Sequence, residues 1–481
     1  MINIPFRRVA AVICLAAGLA VGCEDPDNFF EPVNPDLAAD AIVGTVGSTE
    51  RITAGARRQL SLLMNDLVPP AEILSDNYVN TRTFFNQFLD DLAIDFTDQD
   101  IRELEFDIAR LRELTTTGLN DIAPAEDGRS DDDVAELYFL RGMAYLIGAE
   151  TFVALPAEPN GTPQPPSAHY ALAIENFGQA MSTAAGSPAG QAARLARARA
   201  YYRLGDRTNA VADAQAAIDA DSSLLYTAEF DAVNGPTNTM QDALFDRGTF
   251  DDLQPLPSLD FLDPKYNGAT PNFDYPIPVV KIEEAHLILA EAALSQGNLD
   301  DAKAIMRDIV ALVATRPTAT FDDAVEGRTQ LAPRSRPDTN TVSVAPGPNR
   351  MLISGLVLDR NDGLITVPTV SGTSITNDQI DAINDVDFAY EELYRLRQHI
   401  FISEGRRMID LGFKFPISQR ESDANPAVTA DLNMGVIPSW LAGLDLDAFS
   451  YDAAAGTATV TNNLNRLTAQ NRSSDLVVPF E

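Results

Sequence analysis

The chain has 481 residues, of which 45% are hydrophobic, enough to bury a sizeable core in one large domain or in two or three smaller ones. It carries 35 Lys and Arg against 70 Asp and Glu, so its formal net charge is -35. This charge argues against nucleic-acid binding and against docking on anionic lipid, and it is typical of solubility in an extracytoplasmic or salty setting.

Residues 1–22 are predicted to be a lipoprotein signal peptide. Arg7 and Arg8 precede an uninterrupted run of apolar and small residues, Val9–Val21, which leads to Cys23. A basic start, a short apolar run and small residues before a cut site describe a secretory signal, and this run is too short to span a bilayer comfortably. Its end resembles a bacterial lipobox, in which Cys23 becomes the lipidated first residue of the mature chain.

One departure from the lipobox pattern is Ala20, which stands where Leu is most common. The alternative is an ordinary signal peptide followed by an incidental cysteine. The other cysteine, Cys14, lies within the signal, so we expect no disulfide and no thiol chemistry in the mature chain. Residues 23–48 are interpreted as a tether and N-terminal extension, followed by a single globule over 49–481.

The first half of the globule is predicted to be helical. In the first two helices, apolar residues recur every three or four positions, which is typical of an amphipathic helix. Pro69 and Pro70 are expected to end the first of them. The predicted helices are Thr49–Leu67, Thr97–Leu119, Asp131–Val153 and Ser167–Thr183.

Two stretches match the tetratricopeptide helix-turn-helix repeat. Gly190–Asp221 has small residues and a tyrosine in its first helix, a Gly205-Asp206 turn, and alanines at the repeat's spacing in its second helix. Tyr275–Val313 follows the same plan, with helices at about Ile282–Ser295 and Leu299–Val313 that meet at Gly297-Asn298. The matching small or apolar positions are Ala198, Ala210, Ala214, Ala217, Ala302, Met306 and Ile309.

The remaining chain is predicted to be richer in loops. Two strands are predicted within Met351–Val370, as a hairpin around Asp362-Gly363, and another hairpin is possible around Gly456. A long helix is predicted over Val386–Phe413, where Arg406 and Arg407 are expected to pair with neighbouring acids and hold the helix against the repeats. The loop-rich segments, which we expect to face the ligand, are 224–273, 321–385 and 414–481.

The predicted fold class is therefore mainly α. Tetratricopeptide-like αα-hairpins would form a superhelix, with a loop-rich second lobe that contains short β-hairpins. The predicted helical repeats fall mainly within 97–222, 282–315 and 386–413.

Several segments, in this order, resemble the SusD/RagB group of outer-membrane lipoproteins. The lipobox at Cys23 is followed by Leu137–Pro156, which resembles a helix of that family with an insert inside a split repeat. The stretch YPIPVVKIEEAHLILAEAALSQGNLDDA, starting at Tyr275, resembles its strand-and-helix hairpin. Glu404, Gly405, Arg407, Asp410 and Leu411 match the family's late helix, and LVVPFE, ending at Glu481, is similar to its C-terminal motif, with one residue fewer between Pro479 and Glu481.

The resemblance implies a nutrient-binding protein that faces the cell exterior, anchored to the outer membrane by the lipid on Cys23. Its implied partners are a glycan or peptide ligand and a TonB-dependent, SusC-like outer-membrane transporter. Capture and handover of a nutrient require no bond to be made or broken, so no enzyme activity and no cofactor are expected.

No catalytic or metal-binding residue is assigned. The sequence lacks a GxSxG elbow, a phosphate loop that ends in Lys-Ser/Thr, and an HExxH pair. His169, His286 and His399 fall on three separate predicted helices, a spacing that does not bring metal ligands together. Asp359–Gly363 has some likeness to a calcium loop but lacks the later Glu, which favours a turn.

The candidate ligand contacts are aromatic and polar residues without helical periodicity. Sugars stack on aromatic faces, and both sugars and peptides need hydrogen-bonding groups beside them. The alternative for the first cluster is that Phe84, Phe85 and Phe88 anchor a loop in the core. The candidates are Tyr78, Asn80, Arg82, Phe84, Phe85, Asn86 and Trp440.

Two other functions stay open from the sequence. A lipid-anchored tetratricopeptide adaptor would bind proteins in its concave groove, but such a chain should consist of repeats nearly throughout. A secreted hydrolase is the third hypothesis, because a pair of catalytic carboxylates can be hidden among 70 acidic residues.

Overall fold

The computed structural model describes residues 43–80, 86–245, 253–266, 273–323, 336–360, 363–477 and 480. The predicted signal peptide, Cys23 and most of the predicted tether lie outside these residues, as do Pro479 and Glu481 of the C-terminal motif. Among the helices described, none is long and apolar enough to cross a membrane.

Long helices that follow one another along the chain pack together and form the scaffold. α1 packs on α3, α5 on α6, α7 on α8 and α10 on α11, while α13 covers α10 and α16. The long helices are α1 (Ser48–Ile73), α3 (Gln99–Thr117), α5 (Asp131–Thr151), α6 (Pro166–Ala184), α7 (Pro188–Arg203), α8 (Arg207–Ala220), α10 (Glu283–Ser295), α11 (Leu299–Val313) and α13 (Val386–Phe401). The short helices are α2 (Gln87–Asp90), α4 (Ala123–Ala125), α9 (Thr239–Phe245), α12 (Asn377–Asp381), α14 (Arg407–Leu411), α15 (Gln419–Ala424) and α16 (Leu464–Gln470).

Both predicted tetratricopeptide-like hairpins are confirmed. The turns at Gly205 and Gly297 adopt φ of 75° and 76°, a left-handed conformation that favours glycine. The alanines at the repeat positions are buried, as are Met306 and Ile309, so the paired helices approach closely. The Pro-rich insert between α5 and α6 folds back on itself as the short pair β2–β3 and leaves these two helices packed together.

The described strands are short, with two to five residues each. The largest sheet has the order β11-β12-β8-β9, and the other described strands form two-stranded ladders. The strands are β1 (Tyr78–Asn80), β2 (Leu155–Pro156), β3 (Pro163–Gln164), β4 (Leu225–Ala228), β5 (Leu253–Pro255), β6 (Ile277–Lys281), β7 (Thr318–Asp322), β8 (Ser343–Ala345), β9 (Ile353–Ser354), β10 (Leu364–Pro368), β11 (Phe449–Asp452) and β12 (Thr457–Val460).

Three predicted boundaries or pairings are wrong. Pro69 and Pro70 lie inside the last turns of α1, which continues to Ile73, because burial of Val68 and Ala71 on either side holds that turn in place. β9 and β10 do not pair with each other around Gly363; β9 pairs with β8, and β10 pairs with β7. The helix predicted over Val386–Phe413 ends at Phe401 and resumes only at Arg407. The hairpin around Gly456 is confirmed as β11–β12.

The contact between α1 and α3 contains a pair of carboxyl groups, Asp66 and Asp107. Burial, followed by the nearby charge of Asp107, raises the pKa of Asp66 to about 7 from its ordinary 3.8. Because this pKa is higher in the folded than in the unfolded chain, the folded state favours the protonated form, and stability falls as the pH rises from about 4 to 7.

Asp66→Asn is therefore expected to raise the melting temperature at pH 8 and to change it little at pH 4, because the amide cannot ionise. Thermal unfolding of the two proteins at both pH values measures this difference. Asp121→Asn, at an exposed acid, is the control and should change neither value. A melting temperature for Asp66→Asn at or below that of the parent protein at pH 8 would contradict the argument.

Candidate functional site

The first group of candidate residues begins on the strand β1. β1 pairs antiparallel with β5, and Asn80 lies opposite Leu253. Tyr78 is fully buried, and its hydroxyl lies 2.7 Å from Oγ of Ser403, so this side chain fixes the strand and offers no face to solvent. Burial raises the pKa of Tyr78 well above its ordinary value. Asn80 is half-buried, and Arg82, Phe84 and Phe85 lie outside the described residues.

Asn86 and Phe88 follow at the start of the short helix α2. Oδ1 of Asn86 accepts a hydrogen bond from the backbone N–H of Phe88 at 3.1 Å and caps the helix. The Asn86 amide also donates to Asp98, so its orientation is fixed from two sides. Phe88 is 62% exposed, and the alternative that it anchors this loop in the core is wrong.

The second candidate, Trp440, is half-buried against the main core, and its indole N–H has no hydrogen-bond partner among the described residues. The loop that leads to it touches the chain that follows α2. Gly435 packs so closely on Ile94 that a Cβ at this glycine would lie 2.7 Å from Cγ2 of Ile94. The loop before Trp440 therefore contacts the chain that follows Phe88 at this point.

Exposed apolar side chains occur on both of these segments. Met434 is 68% exposed and Ile437 36% exposed, in addition to Phe88. We refer to Asn86, Phe88, Met434, Ile437 and Trp440 as the Trp440 surface. Sequence patterns missed Met434 and Ile437, because a loop without periodicity does not indicate which of its apolar side chains will face water.

A break between α13 and α14 lies beneath the strand β1. Ser403 and Gly405 have φ of 61° and 68°, which is incompatible with a continuous helix. The break is held by buried partners: Lys265 donates to the backbone oxygen of Ile402 at 2.9 Å, and Tyr266 donates to that of Ser403 at 2.8 Å.

Charged groups complete the junction around this break. Lys265 and Lys281 both donate to Oε1 of Glu404, and all three side chains are at most 3% exposed. The N–H of Gly405 donates to Glu72 at 2.8 Å. Burial raises the pKa of the Glu72 carboxyl to about 7. We call Lys265, Lys281, Glu404 and their bonded neighbours the Glu404 junction, and it fixes β1 relative to the helical scaffold.

Arg406 and Arg407 pair with acids, as predicted, but the pairs are buried and the acids are distant in the sequence, so the prediction of neighbouring acids is wrong. Arg406 bonds Glu284 of α10, and Arg407 bonds both oxygens of Asp76 at 2.6 and 3.0 Å. These acids lie 122 and 331 positions away in the sequence. The pairing joins the late helix to the repeats.

A second group of buried ion pairs covers the inward faces of the repeat helices. Arg199 bonds both oxygens of Glu150, and Arg203 reaches Asp410 at 2.7 Å. Arg397 of α13 bonds the same Asp410 at 2.9 Å. The guanidinium groups hold the pKa of Asp410 far below its usual range in spite of its burial. The helix faces that an adaptor would present to a partner are therefore occupied by this chain's own α13 and α14.

The three histidines do not meet. His169 and His399 are buried on α6 and α13, where His169 bonds the backbone oxygen of Leu155 at 2.7 Å and His399 bonds the hydroxyl of Thr373 at 3.1 Å. His286 is half-buried on α10. Burial lowers the pKa of each. In the described ranges, no group of three His, Cys, Asp or Glu side chains is placed to hold a metal ion.

Two open clefts lie away from the Trp440 surface. One has a volume of about 740 Å³ and lies between the turn at Gly205 and the chain around Arg472. The other, of about 580 Å³, lies between the start of α13 and the end of α16, and Arg472 lines both. None of the described candidate residues lines either cleft.

No protein-family model and no curated protein matches this sequence, but 43 chains of solved structures match the fold. A protein from Bacteroides vulgatus, described as a candidate sugar-binding protein, has a TM-score of 0.54 at 14% identity and covers 81% of this chain and 98% of its own. A SusD superfamily protein from Parabacteroides distasonis has a TM-score of 0.52 at 12% identity, with coverage of 79% and 98%. A SusD-like protein from Bacteroides fragilis has a TM-score of 0.51 at 11% identity, with coverage of 78% and 87%.

The scaffold defines a class of mainly helical proteins built on tetratricopeptide-like hairpins, as the periodicity predicted. Within that class, the fold of this chain is the SusD-like fold. At identities of 11–14% the likeness is one of fold, and on that level the resemblance found in the sequence is confirmed.

Proposed function

We propose that this protein is a lipoprotein on the outer face of the outer membrane that binds a nutrient glycan and passes it to a TonB-dependent transporter. The observation that carries the proposal is the SusD-like fold, shared over 81% of the chain with a protein described as a candidate sugar binder. The action is binding and release, without catalysis. The transporter partner and the lipid anchor follow from the resemblance in sequence and belong to the proposal.

We place the ligand on the Trp440 surface and the neighbouring candidates Asn80, Arg82, Phe84 and Phe85. Phe88, which is 62% exposed, and the half-buried Trp440 offer stacking faces, and the fixed amide of Asn86 offers the hydrogen bonds that a sugar requires. Tyr78 would act by supporting the strand β1. The indole N–H of Trp440 is itself buried, so a ligand would contact the exposed part of the ring.

The adaptor hypothesis finds less support. An adaptor needs the inward faces of its repeats free, and here Glu150, Arg199 and Arg203 are engaged with each other and with Asp410. Opening that surface would expose several buried charges that now neutralise one another.

A glycan array and a peptide array, probed with the mature chain, test the function. Binding to glycans is expected, and Trp440→Ala should weaken it at least tenfold. Tyr451→Ala, at an exposed aromatic on β11, is the matched control and should leave binding unchanged. Binding to peptides alone would overturn the glycan assignment, and the release of any product from a bound glycan would support the hydrolase instead.

The lipid anchor has its own test. Cys23→Ala is expected to move the protein from the membrane fraction to the soluble fraction, because the thiol that would carry the lipid is gone. Cys14→Ala, within the signal, should remain in the membrane fraction. Immunoblots of fractionated cells measure both, and membrane-bound Cys23→Ala would show that the anchor lies elsewhere. Affinity capture from detergent-solubilised outer membranes should recover a TonB-dependent transporter with the lipidated protein.

A further inference from the structure

Every residue that lines the cleft of about 580 Å³ is among those that the structure describes. One side is the loop before β9, the second is the first turns of α13, and the third is the end of α16 with the chain that follows it. We call it the Arg466 cleft.

The acids of this cleft already have partners. Asp385 caps α13 by accepting a hydrogen bond from the N–H of Phe388 at 2.8 Å. Glu391 accepts from Asn463 at 2.7 Å and lies 3.2 Å from Arg350. Asp387 pairs with Arg472 at 2.9 Å. Glu391 and Asp387 are therefore paired with arginines, and Asp385 is held by a backbone N–H.

Two arginines of this cleft are less completely paired than its acids. Arg466 is exposed and has no acidic partner among the described residues. Arg472 donates to the backbone oxygen of Ala469 at 2.8 Å and lies over the Tyr390 ring at 4.6 Å. Its pair with Asp387 is open to solvent, with side-chain exposures of 35% and 78%, and such pairs contribute little to stability. A ligand carboxylate can displace Asp387 at low cost.

We propose that the Arg466 cleft is a second glycan site and that it takes an acidic oligosaccharide, one whose sugars carry carboxylate groups. Arg466 would bind a carboxylate in the bidentate geometry that guanidinium groups favour, and Arg472 would bind a second carboxylate through the Nη2 that now pairs with Asp387. The side-chain amides of Asn349 and Gln470 line the same cleft and can bond hydroxyl groups. The inference deepens the proposed function, because it rests on the ligand being a glycan and names its class.

The shape of the cleft favours a glycan over an acidic peptide. An extended peptide is usually held by main-chain bonds to a free strand edge and by apolar pockets for its side chains. Here the walls are helices and a loop, and Phe388, the aromatic ring in the lining, has the guanidinium of Arg350 over it at 4.7 Å. The volume is in the range of small-ligand sites, and Arg472 also lines the cleft of about 740 Å³.

Calorimetric titration of the mature protein with tetragalacturonate tests the inference, with maltotetraose as the neutral ligand of equal length. Tetragalacturonate is expected to bind at least tenfold more tightly than maltotetraose, and more weakly as NaCl is raised from 50 to 500 mM. Arg466→Gln and Arg472→Gln should each weaken its binding about tenfold or more. Arg307→Gln, at an exposed arginine on α11, is the control and should bind like the parent.

Several outcomes would overturn the second site: equal binding of the two tetrasaccharides, affinity for tetragalacturonate that survives both substitutions, or tighter binding of tetraglutamate than of tetragalacturonate. Melting temperatures of the variants establish that they are folded, which we expect because Arg466 is exposed.

Trp440→Ala separates this inference from the proposed function. It should reduce binding at the Trp440 surface and leave tetragalacturonate bound in the Arg466 cleft. Loss of tetragalacturonate binding in Trp440→Ala alone, with both arginine variants unaffected, would assign the acidic ligand to the Trp440 surface and refute the second site.

Discussion

Replacing Glu404 with glutamine is expected to lower the free energy of unfolding by about 3 kcal/mol at pH 6, the largest effect we expect from a change of one charge. Lys265 and Lys281 donate to the same oxygen of Glu404, and neither ammonium group is more than 2% exposed. Removing the carboxylate leaves both of them buried without their counter-charge. The loss lies near the lower end of the range for broken buried pairs, because the amide oxygen still accepts a hydrogen bond.

The size of this effect should depend on pH. Burial lowers the pKa of Lys281 to about 8 from its ordinary 10.5, although Glu404 opposes the shift. A pKa that is lower in the folded than in the unfolded chain makes the buried ammonium a cost, present in full below pH 8 and relieved as the pH rises from 8 to 10.5. Without Glu404 this pKa falls further, so Lys281 becomes neutral at a lower pH and no longer needs the carboxylate.

Urea unfolding at pH 6 and pH 9 measures the prediction, and the loss in Glu404→Gln should be smaller at pH 9. Asp381→Asn is the matched control, because Arg307 and Asp381 form an exposed pair, with side chains 39% and 56% exposed. Its expected loss is below about 1 kcal/mol at either pH. If both substitutions cost the same, the Glu404 junction contributes no more than a surface ion pair and the argument fails.

The repeat hairpins could be predicted because their signal is local. The helix pairs α7–α8 and α10–α11 are each defined by residues within about 30 positions: small side chains on the inner faces, and a glycine at the turn where φ is positive. Hydrophobic periodicity and turn chemistry are properties of the same short stretch, so a single sequence carries them.

The break after Phe401 could not be predicted, because what holds it is distant in the sequence. The residues up to Leu411 retain apolar periodicity, which favours one continuous helix. The bonds that stabilise the break come from Glu72, Lys265 and Tyr266, which are more than 130 positions away. Local propensity is overridden here by tertiary hydrogen bonds, and periodicity contains no information about such partners.

The same reasoning explains the incorrect strand pairing and the missed charges. A Gly after an Asp between two short apolar runs favours a hairpin, but β9 and β10 find partners in β8 and β7, which lie earlier in the chain. Acidic side chains are seldom buried, yet Glu150, Glu284 and Asp410 are buried against arginines, a placement that sequence patterns do not indicate. The candidate site was predicted only as far as its aromatic composition allowed, and the contact of Ile94 with Gly435 was not foreseeable.

At the contact between α5 and α6, Gly142→Ala is expected to destabilise the protein when Phe177 is present and to stabilise it when Phe177 is replaced by alanine. Phe177 is fully buried, and a Cβ at Gly142 would lie 2.5 Å from Cε1 of its ring. Phe177→Ala should cost about 3–5 kcal/mol, because it leaves a cavity in the core. Gly142→Ala alone should cost about 1–3 kcal/mol, because the ring must move within a packed interior.

In the Phe177→Ala background, Gly142→Ala should instead stabilise the protein by up to about 1 kcal/mol, because the methyl group enters vacated space and alanine favours a helix over glycine. Urea unfolding of the four proteins in this cycle gives the coupling energy, which we expect to reach about 2–3 kcal/mol. Gly178→Ala, whose Cβ would lie 3.8 Å from Nη1 of Arg197, is the control and should have the same effect in both backgrounds. Additive effects of Gly142→Ala and Phe177→Ala would mean that the close approach of α5 and α6 does not depend on this glycine.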